Sequence, residues 1–469
     1  MKKRRFLALI LSVSLICCIC GCSSQNGGES NQKEDITSAD VDKATFEGLK
    51  FETNPDLDFG GKTVVFARNL EPKRGGSSHE DRELDIKEAI EKKYNVKVEY
   101  VVYSSDKDLH DNLVLKHLSN EVYGDLVFTN TANYLQALTN DGIFRSLDDY
   151  IDYSNERFAI TDTATKYVDG KHYSYYPAER DQGFFVYYNT SLLEENNCED
   201  PRELYEAGKW NWEAFENIAK ACTGTRNGKS IYGLAGSNIL DGLMASNGLP
   251  VISYNAEKGK VNCNLFTDAG KNVLEFIRTL SFTNKAVDGT YGSHSGIETF
   301  NNGFAAMLIG PQYYGSHLVQ TGILFEMVPM PMGSDTKSYT NLREDCYCYS
   351  IATNSKFKTE DLLQLAFELE RNDPAIEGTY RDTSYEGKLD WFVEQYVDRA
   401  NHYYDEEQAK FVFDFINDEE TDSYIDWNTA NLKSIIKEKI YLPISKGEDV
   451  RSHLTSIESV INNALKEQF

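Results

Sequence analysis

The chain has 469 residues, of which 41% are hydrophobic and 12% aromatic, and it carries a formal net charge of −26. This composition is typical of a folded globular protein and excludes a disordered one. The acidic balance excludes a nucleic-acid-binding role, and the scattered carboxylates, with no D-x-D-x-D-G loop, favour a solvated surface over a calcium site.

The N-terminus has the pattern of a secretory signal. Four basic residues, Lys2–Arg5, precede a 15-residue apolar run, Phe6–Cys20. The run is shorter than the roughly 20 residues that span a bilayer as a helix, which favours a cleaved signal over a retained anchor. The segment Ile19–Cys22, with the sequence ICGC, resembles the bacterial lipobox. That resemblance implies cleavage after Gly21 and acylation of Cys22.

The residues after Cys22 predict a flexible tether followed by a large folded body. Residues 23–43 are mostly Ser, Asn, Gln, Gly, Asp and Glu, with hardly any large apolar side chain. Such a segment cannot bury enough surface to offset the cost of ordering it. The remainder of the chain is long enough for two domains, at roughly 150 residues for each domain.

Apolar periodicity in the first part of the body alternates between strand and helix. Alternation of this kind predicts a parallel sheet covered by helices. The predicted strands are 63–67, 96–103 and 124–128, and the predicted helices are 82–94, 109–122 and a helix through 134–138 that ends near Gly142.

A second α/β stretch follows the aromatic and polar segment 173–189. Asn211 is the expected cap of its first long helix, and Trp210 and Trp212 are expected to be packing residues. From about Leu389 onward the pattern predicts helix. The other helices predicted in this part of the chain are 212–222, 267–280 and 359–370.

Five cysteines lie outside the signal and the lipobox. They are odd in number and widely spaced, so they do not form a disulfide framework, and Cys346 with Cys348 is not a C-x-x-C pair. We expect most of them to be small buried residues. If a bridge forms, Cys198 and Cys222 are the first candidates. The five are Cys198, Cys222, Cys263, Cys346 and Cys348.

Eight short segments carry motifs that are weak individually but specific in combination. They are Gly124–Phe128, Asp141–Tyr150, Gly170–Pro177, Val186–Leu193, Trp210–Ala219, Phe300–Met307, Val328–Gly333 and Ser350–Lys356. In this order, and behind a lipobox, they resemble the family of extracellular solute-binding proteins to which maltose-binding protein belongs. The resemblance covers about residues 60–370 well and the C-terminal hundred residues loosely.

The resemblance implies an α/β, two-lobe, periplasmic-binding-protein-like fold with a hinged cleft between the lobes. Crossings between the lobes are expected at 180–184, near 344–349 and near 380–389. The implied organisation is a signal peptide at 1–21, a lipidated tether at 22–45, an N-lobe at 46–181 and 346–385, and a C-lobe at 182–345 and 386–469.

A sugar site needs aromatic faces together with carboxylate, amide and guanidinium groups for the hydroxyls. The resemblance implies that such groups lie around the cleft, where parallel strands end. Ordinary loop charge remains the alternative after the first strand, and a structural ion pair remains the alternative at Glu179–Asp181. The implied ligand contacts are Arg68, Asn69, Glu71, Thr129, Asn130, Asn133, Tyr134, Glu179, Arg180, Asp181, Asn238, Asp241, Tyr313, Tyr314 and Trp427.

Two aromatic positions at the implied cleft have specific expectations. Gly310–Tyr314 aligns with the family motif G-P-W-x-W, and Gln312 replaces its first Trp. This departure argues against a maltose-like ligand and favours Tyr314 as the stacking ring. Trp427 lies where the family often has a cleft Trp, and in a helix Tyr424 would share its face. Packing of both rings against the lobe is the alternative.

The implied function is capture of a small solute, most simply a carbohydrate, for an ABC importer. The expected partners are the solute, the permease subunits and, through acylated Cys22, the extracellular face of the cell membrane. We expect a monomer with no nucleic-acid partner and, because the eight His are dispersed, no metal or other cofactor. An extracellular carbohydrate-active enzyme, a metal-binding lipoprotein and a ligand-presenting module for a sensor kinase remain alternatives.

Overall fold

A four-stranded sheet organises the first part of the chain in the computed structural model. Its strand order is β12-β3-β1-β2, in which β1, β2 and β3 are parallel and β12 is antiparallel to β3. The predicted alternation of strand and helix is therefore confirmed. The elements are β1 (Thr63–Arg68), α1 (Ser78–Lys93), β2 (Lys97–Val102), α2 (Asp106–Leu118), β3 (Leu126–Asn130), α3 (Leu135–Asn140) and β12 (Tyr347–Ile351).

The structure describes residues 46–76, 78–130, 135–155, 158, 170–175, 183–236, 238–255, 260–288, 295–343, 347–370, 385–393, 397, 405–418, 421–426 and 430–468. All of them belong to one compact unit, Ser38–Phe469. The predicted signal, Cys22 and the tether lie outside the described residues.

A separate five-stranded sheet organises the second part. Its order is β10-β4-β9-β6-β5, with β4 antiparallel to β9 and β10, and β6 parallel to β9. Two small ribbons accompany it: β7 with β8, antiparallel, and β11 with β13, parallel. These strands are β4 (Phe184–Asn189), β5 (Gly224–Arg226), β6 (Lys229–Ala235), β7 (Ile252–Asn255), β8 (Lys260–Cys263), β9 (Ala305–Pro311), β10 (Phe325–Pro329), β11 (Thr340–Arg343) and β13 (Asp422–Ile425).

Most of the remaining described elements are helices that cover these sheets. They are α4 (Thr190–Glu195), α5 (Pro201–Glu206), α6 (Trp212–Cys222), α7 (Ile239–Ser246), α8 (Asp268–Arg278), α9 (Ser295–Asn301), α10 (Gly315–Thr321), α11 (Thr359–Leu369), α12 (Tyr385–Val393), α13 (Glu406–Ile416), α14 (Ala430–Ile436), α15 (Leu442–Ser445) and α16 (Val450–Gln468). Short π-helical turns follow α8 (Thr279–Thr283) and α14 (Lys437–Tyr441).

Helix α6 shows how local sequence and packing agree in the second sheet. The Oδ1 atom of Asn211 accepts a hydrogen bond from the backbone N–H of Ala214 at 3.0 Å, as the capping prediction requires. Trp210 and Trp212 are buried, which confirms that they are packing residues. A Cβ atom on Gly233 of β6 would lie 2.0 Å from the carbonyl oxygen of Ala219, so only glycine lets α6 lie this close to the sheet.

The described elements before and after each of three undescribed segments belong to different parts of the fold. Tyr175 pairs with Tyr349 beside the first sheet, and Phe184 begins β4 of the second. Strand β11 ends at Arg343, and β12 of the first sheet begins at Tyr347. Helix α11 packs against α1, whereas α12 packs against α13 in the core of the second sheet. The exact lobe boundaries and crossing residues stay predictions.

One C-terminal expectation is wrong. The region after Leu389 was expected to be helical throughout, with Tyr424 on a helix. Tyr424 instead lies on β13, which pairs in parallel with β11, so that Tyr424 is opposite Leu342. Pairing with a strand some eighty residues earlier in the chain stabilises this conformation, and no local periodicity could have indicated it.

Candidate functional site

The carboxyl ends of β1, β2 and β3 form one edge of the first sheet. In the β1–β2 register Arg68 lies opposite Val102, and in the β3–β12 register Asn130 lies opposite Tyr347. Two of the predicted contacts, Arg68 and Asn130, are therefore the last residues of parallel strands. Edges of this kind are where open α/β sheets bind ligands.

Arg68 is held by its own lobe. Its guanidinium forms an ion pair with Glu83 of α1, and each side chain is only 15% exposed. The guanidinium carbon also lies 4.8 Å from the ring centroid of Tyr100, a cation–π distance. Burial acts to lower the pKa of Arg68, but the Glu83 carboxylate outweighs it and raises that pKa above its ordinary value. Arg68 is thus a permanently charged, fixed part of the edge.

The loop after β1 is held against α1 by Arg74. The Nη1 atom of Arg74 donates to Asp85 at 2.6 Å, and Nη2 donates to Glu88 at 2.8 Å. The backbone N–H of Gly75 also donates to Asp81 at 2.7 Å. Glu71, another predicted contact, is exposed on this loop. The loop that carries Glu71 is therefore anchored by side chains that the sequence analysis did not select.

Tyr175, Tyr349 and Glu370 meet where the chain leaves the first sheet. The backbones of Tyr175 and Tyr349 exchange hydrogen bonds of 3.0 and 2.8 Å, and their rings stack with centroids 5.5 Å apart. The hydroxyl of Tyr175 donates to Oε1 of Glu370 at 3.1 Å. Each of these residues lies within three positions of a different undescribed segment, 176–182, 344–346 or 371–384. Sequence reasoning missed this cluster, because nothing in a local motif shows that the three residues are neighbours.

In the second sheet, the residues that follow the carboxyl end of β9 form a short turn that carries two of the predicted contacts. The hydroxyl of Tyr187 lies 2.8 Å from the carbonyl oxygens of both Pro311 and Gln312, and the N–H of Gln312 donates to Gly183 at 3.0 Å. These bonds fix the single 3₁₀ turn Gln312–Tyr314 that follows the strand. The turn is thus a rigid support for its side chains.

Tyr313 and Tyr314 differ sharply in exposure. Tyr314 is 6% exposed, and its ring covers Gly310, where a Cβ atom would lie 2.3 Å from the ring. Tyr313 is 44% exposed and meets the Tyr314 ring edge-on, with centroids 5.2 Å apart. Tyr314 therefore has little exposed surface for stacking, and Tyr313 is the more exposed of the two rings. Which of them contacts a ligand stays a prediction.

Asn238 and Asp241 lie beyond the same edge of the second sheet as Tyr313. Strands β6 and β9 are parallel, with Leu234 opposite Met307, so both strands end at this edge. Asn238 occupies the N-cap position of α7 without a side-chain capping bond, and Asp241 is buried in the first turn of that helix. The edge thus combines an amide, a carboxylate and an exposed aromatic ring.

A short stretch of chain joins the end of β11, beside the second sheet, to the start of β12 in the first sheet. Arg343 and Tyr347 are separated by four peptide units, each of which spans at most about 3.8 Å, so their Cα atoms are no more than about 15 Å apart. Asn341 on β11 accepts a hydrogen bond from the N–H of Phe184, at the start of β4, over 3.3 Å. Strand β12 begins at Tyr347, which pairs with Asn130 at the carboxyl end of β3. A cleft at this point would lie between polar strand ends.

Several predicted site residues are outside the described part of the chain. They are Asn133, Tyr134, Glu179, Arg180, Asp181 and Trp427. For Asn130 only the backbone is described, and Thr129 is fully buried. Among the described residues, no group of three or more His, Cys, Asp or Glu side chains could hold a metal ion. In the same ranges, no helix is both long enough and apolar enough to cross a membrane.

Comparison with known proteins gives a consistent result. The family model described as bacterial extracellular solute-binding protein matches residues 85–383, nearly two thirds of the chain. A sequence search of curated proteins gives no significant match. Solved structures give many matches.

Three of these structures illustrate the shared two-lobe α/β fold. A cyclo/maltodextrin-binding protein complexed with maltotetraose has a TM-score of 0.61 and 14% identity, over 89% of this chain and 99% of that chain. An ABC substrate-binding protein from Listeria monocytogenes in complex with cycloalternan has a TM-score of 0.58 and 14% identity, over 86% of this chain and 99% of that chain. The maltose/maltodextrin-binding domain from Bdellovibrio bacteriovorus bound to maltotriose has a TM-score of 0.56 and 17% identity, over 86% of this chain and 100% of that chain.

The ion pair of Arg68 gives a testable consequence. Glu83→Gln leaves the guanidinium largely buried without its counter-charge, so we expect the free energy of unfolding to fall by roughly 2–3 kcal/mol, somewhat less than for a fully buried pair. Arg68→Met combined with Glu83→Gln removes both charges and should recover most of that loss. Urea unfolding of the two variants measures the difference. A double variant no more stable than Glu83→Gln would contradict the structural role of the pair.

Proposed function

Because the chain belongs to the family of bacterial extracellular solute-binding proteins, we propose that it binds a carbohydrate between its two lobes and delivers it to an ABC importer. The proposed lobes are residues 46–181 with 346–385, built on the first sheet, and residues 182–345 with 386–469, built on the second. Structures of the same fold hold maltotetraose, cycloalternan and maltotriose, which supports this class of ligand.

One observation carries the proposal most directly. The turn after β9 presents an exposed aromatic ring, Tyr313, on a support that is hydrogen-bonded and buried. An exposed ring on a rigid support suits the flat C–H face of a sugar, because little side-chain freedom is lost when the sugar stacks on it. Asn238, beyond the same edge, is a suitable partner for its hydroxyls, whereas Asp241 is as buried as Tyr314 and stays a predicted contact only.

The first lobe would supply the opposite wall. Arg68 is a fixed cation at the end of β1, and a guanidinium can donate to paired hydroxyls in a forked geometry. Asn130 ends the neighbouring parallel strand. The residues predicted from the resemblance at Asn133, Tyr134, Glu179, Arg180, Asp181 and Trp427 remain candidates for further contacts. The loop that carries Glu71 would form the rim.

The same comparison supports binding without turnover. The family and the structural neighbours are binding proteins, and we propose that this chain releases its ligand unchanged. Incubation with maltodextrins, followed by chromatography of the sugars, tests this point. New products that disappear when the protein is omitted would favour the enzyme alternative.

A thermal-shift screen tests the proposed ligand class. A ligand that binds only the native state raises its stability by RT ln(1 + [L]/Kd), about 2.7 kcal/mol at a hundredfold excess over Kd. We expect at least one saccharide from a panel of mono- and oligosaccharides to raise the melting temperature. Amino acids and short peptides serve as the comparison panel. A shift with a peptide and with no saccharide would contradict the proposal.

Tyr313 gives a residue-level prediction. Tyr313→Ala removes the stacking face, so we expect the Kd for the saccharide found in the screen to rise by at least about tenfold, or 1.4 kcal/mol. Tyr313→Phe keeps the face and should bind nearly as well. Phe282→Ala removes a similarly exposed ring, 50% against 44%, beside Gly447, and is the control. Calorimetric titration of all three gives the result, and equal affinities for wild type and Tyr313→Ala would exclude Tyr313 from the site.

We propose that acylated Cys22 holds the protein at the extracellular face of the membrane. Several acyl chains on one cysteine bind a membrane far more firmly than a single chain does. Cys22→Ala should therefore move the protein from the membrane fraction to the medium without changing its melting temperature. Immunoblotting of the fractions measures this, and a variant that stays with the membrane would show that another feature anchors it.

A further inference from the structure

We propose that Cys198 and Cys222 form a disulfide bond in the extracellular protein. Their sulfur atoms lie 3.6 Å apart in the structure, where both are free thiols. A disulfide bond is about 2.05 Å long, so the two sulfurs need to approach each other by only about 1.5 Å. A modest change in side-chain torsions is enough for this, because the backbone already brings the two side chains into contact.

The two elements that carry these cysteines are independently fixed. Cys198 follows α4, and its backbone N–H donates to the carbonyl of Leu193 at 3.0 Å. Cys222 is the last residue of α6, whose other end is capped by Asn211. Both cysteines thus lie on backbone segments that hydrogen bonds hold in place, so the sulfur contact is a property of the fold in the second lobe.

Exposure and acidity give the bond an order of formation. Cys198 is partly exposed, whereas Cys222 is buried. Burial, with the neighbouring Cys198, raises the pKa of the Cys222 thiol well above its ordinary value. The reaction therefore begins at Cys198, because a thiolate has to be both ionised and accessible to attack an external oxidant.

The reaction balances with a disulfide as the oxidant, such as oxidised glutathione or an oxidoreductase disulfide. The Cys198 thiolate attacks one sulfur of that disulfide, and the other sulfur leaves as a thiolate. Cys222 then loses its proton and attacks Cys198 Sγ, which forms the internal bond and releases the second sulfur as a thiol. Two protein thiols are oxidised, and one external disulfide is reduced.

The location of the protein and the positions of its other cysteines support this pairing. The family is extracellular, and disulfides persist outside the cell, where cytosolic reductants are absent. Of the other described cysteines, Cys263 is buried in the core of the second sheet, and Cys348 lies on β12 of the first. Among the described cysteines, Cys198 and Cys222 are the pair whose sulfur atoms are in contact.

The bond would fasten the segment of the second lobe between α4 and α5. Asp200, two residues after Cys198, caps α5 by accepting from the N–H of Arg202 at 2.7 Å, and it also accepts from the hydroxyl of Tyr188. Tyr188 lies on β4, the strand that begins beside the proposed cleft. A bridge across 24 positions reduces the conformational freedom of the unfolded chain and so stabilises the folded state of this lobe.

Peptide mapping of the native protein tests the bond directly. Cells that express the full-length chain are treated with N-ethylmaleimide before lysis, so that free thiols are blocked, and the purified protein is digested with trypsin without reduction. We expect residues 181–202 and 221–226 to appear as one linked peptide that separates when a reductant is added. Alkylated Cys198 and Cys222 in separate peptides, or a link from Cys198 to any other cysteine, would overturn the proposal.

A stability measurement provides the matched control. The melting temperature of the wild type should fall when a reductant is added, and that of Cys198→Ser should already be low and should not respond. Cys198 is the position to vary because it is the more exposed of the two, so the serine variant loses little packing. A wild type whose melting temperature is insensitive to the reductant would contradict the bond even if the variant fails to fold.

Discussion

The contact among Tyr175, Tyr349 and Glu370 ties together three segments that are far apart in the sequence, and the side of the first sheet formed by β12 depends on it. The stacked rings and the hydrogen bond from Tyr175 to Glu370 bring together the residues at which the chain leaves or enters the first sheet. Phe367, 5.0 Å from the Tyr175 ring, closes the cluster on the helix side. Because these residues are packed and hydrogen-bonded, they form a fixed group on this side of the first sheet.

The pairing of two other strands marks the strand ends at which the ligand site is proposed. Strand β12 enters the first sheet opposite the last residue of β3, and β4 enters the second sheet opposite the last residues of β9. At both places the entering strand pairs with the carboxyl end of a strand of that sheet. The proposed carbohydrate site needs no further assumption about the fold, only that the side chains at these edges suit a sugar.

Burial decides which of the implied side chains can serve as ligand contacts. Arg68 is fixed by Glu83 and Tyr100, so it contributes a stationary charge and cannot reach far. Tyr314 is covered by its own strand, and the neighbouring Tyr313 takes the exposed position. A motif alignment predicts that these residues lie in the loop after β9. The direction of each ring depends on packing against Gly310 of β9 and on the hydrogen bonds of Tyr187 on β4.

Much of the fold could be predicted from local sequence, and less of the site. The order of strands and helices from Thr63 to Asn140 follows from apolar periodicity, and α6 was predicted with its correct bounds because Asn211 marks its start. Tyr424 was misassigned because β13 exists only through its pairing with β11. The cluster at Tyr175 joins residues up to 195 positions apart, and such neighbours can be identified only after the chain is folded.

Small-angle X-ray scattering of the protein during a titration with the saccharide that gives the largest thermal shift tests the central claim most directly, with calorimetry on the same samples. The account predicts that the radius of gyration decreases and reaches a plateau as the calorimetric heat saturates at one ligand per chain, because the lobes close on the sugar. Repeating the titration with a short peptide provides the comparison. No heat and a constant radius with every saccharide of the panel, together with a saturable response to the peptide, would contradict the account.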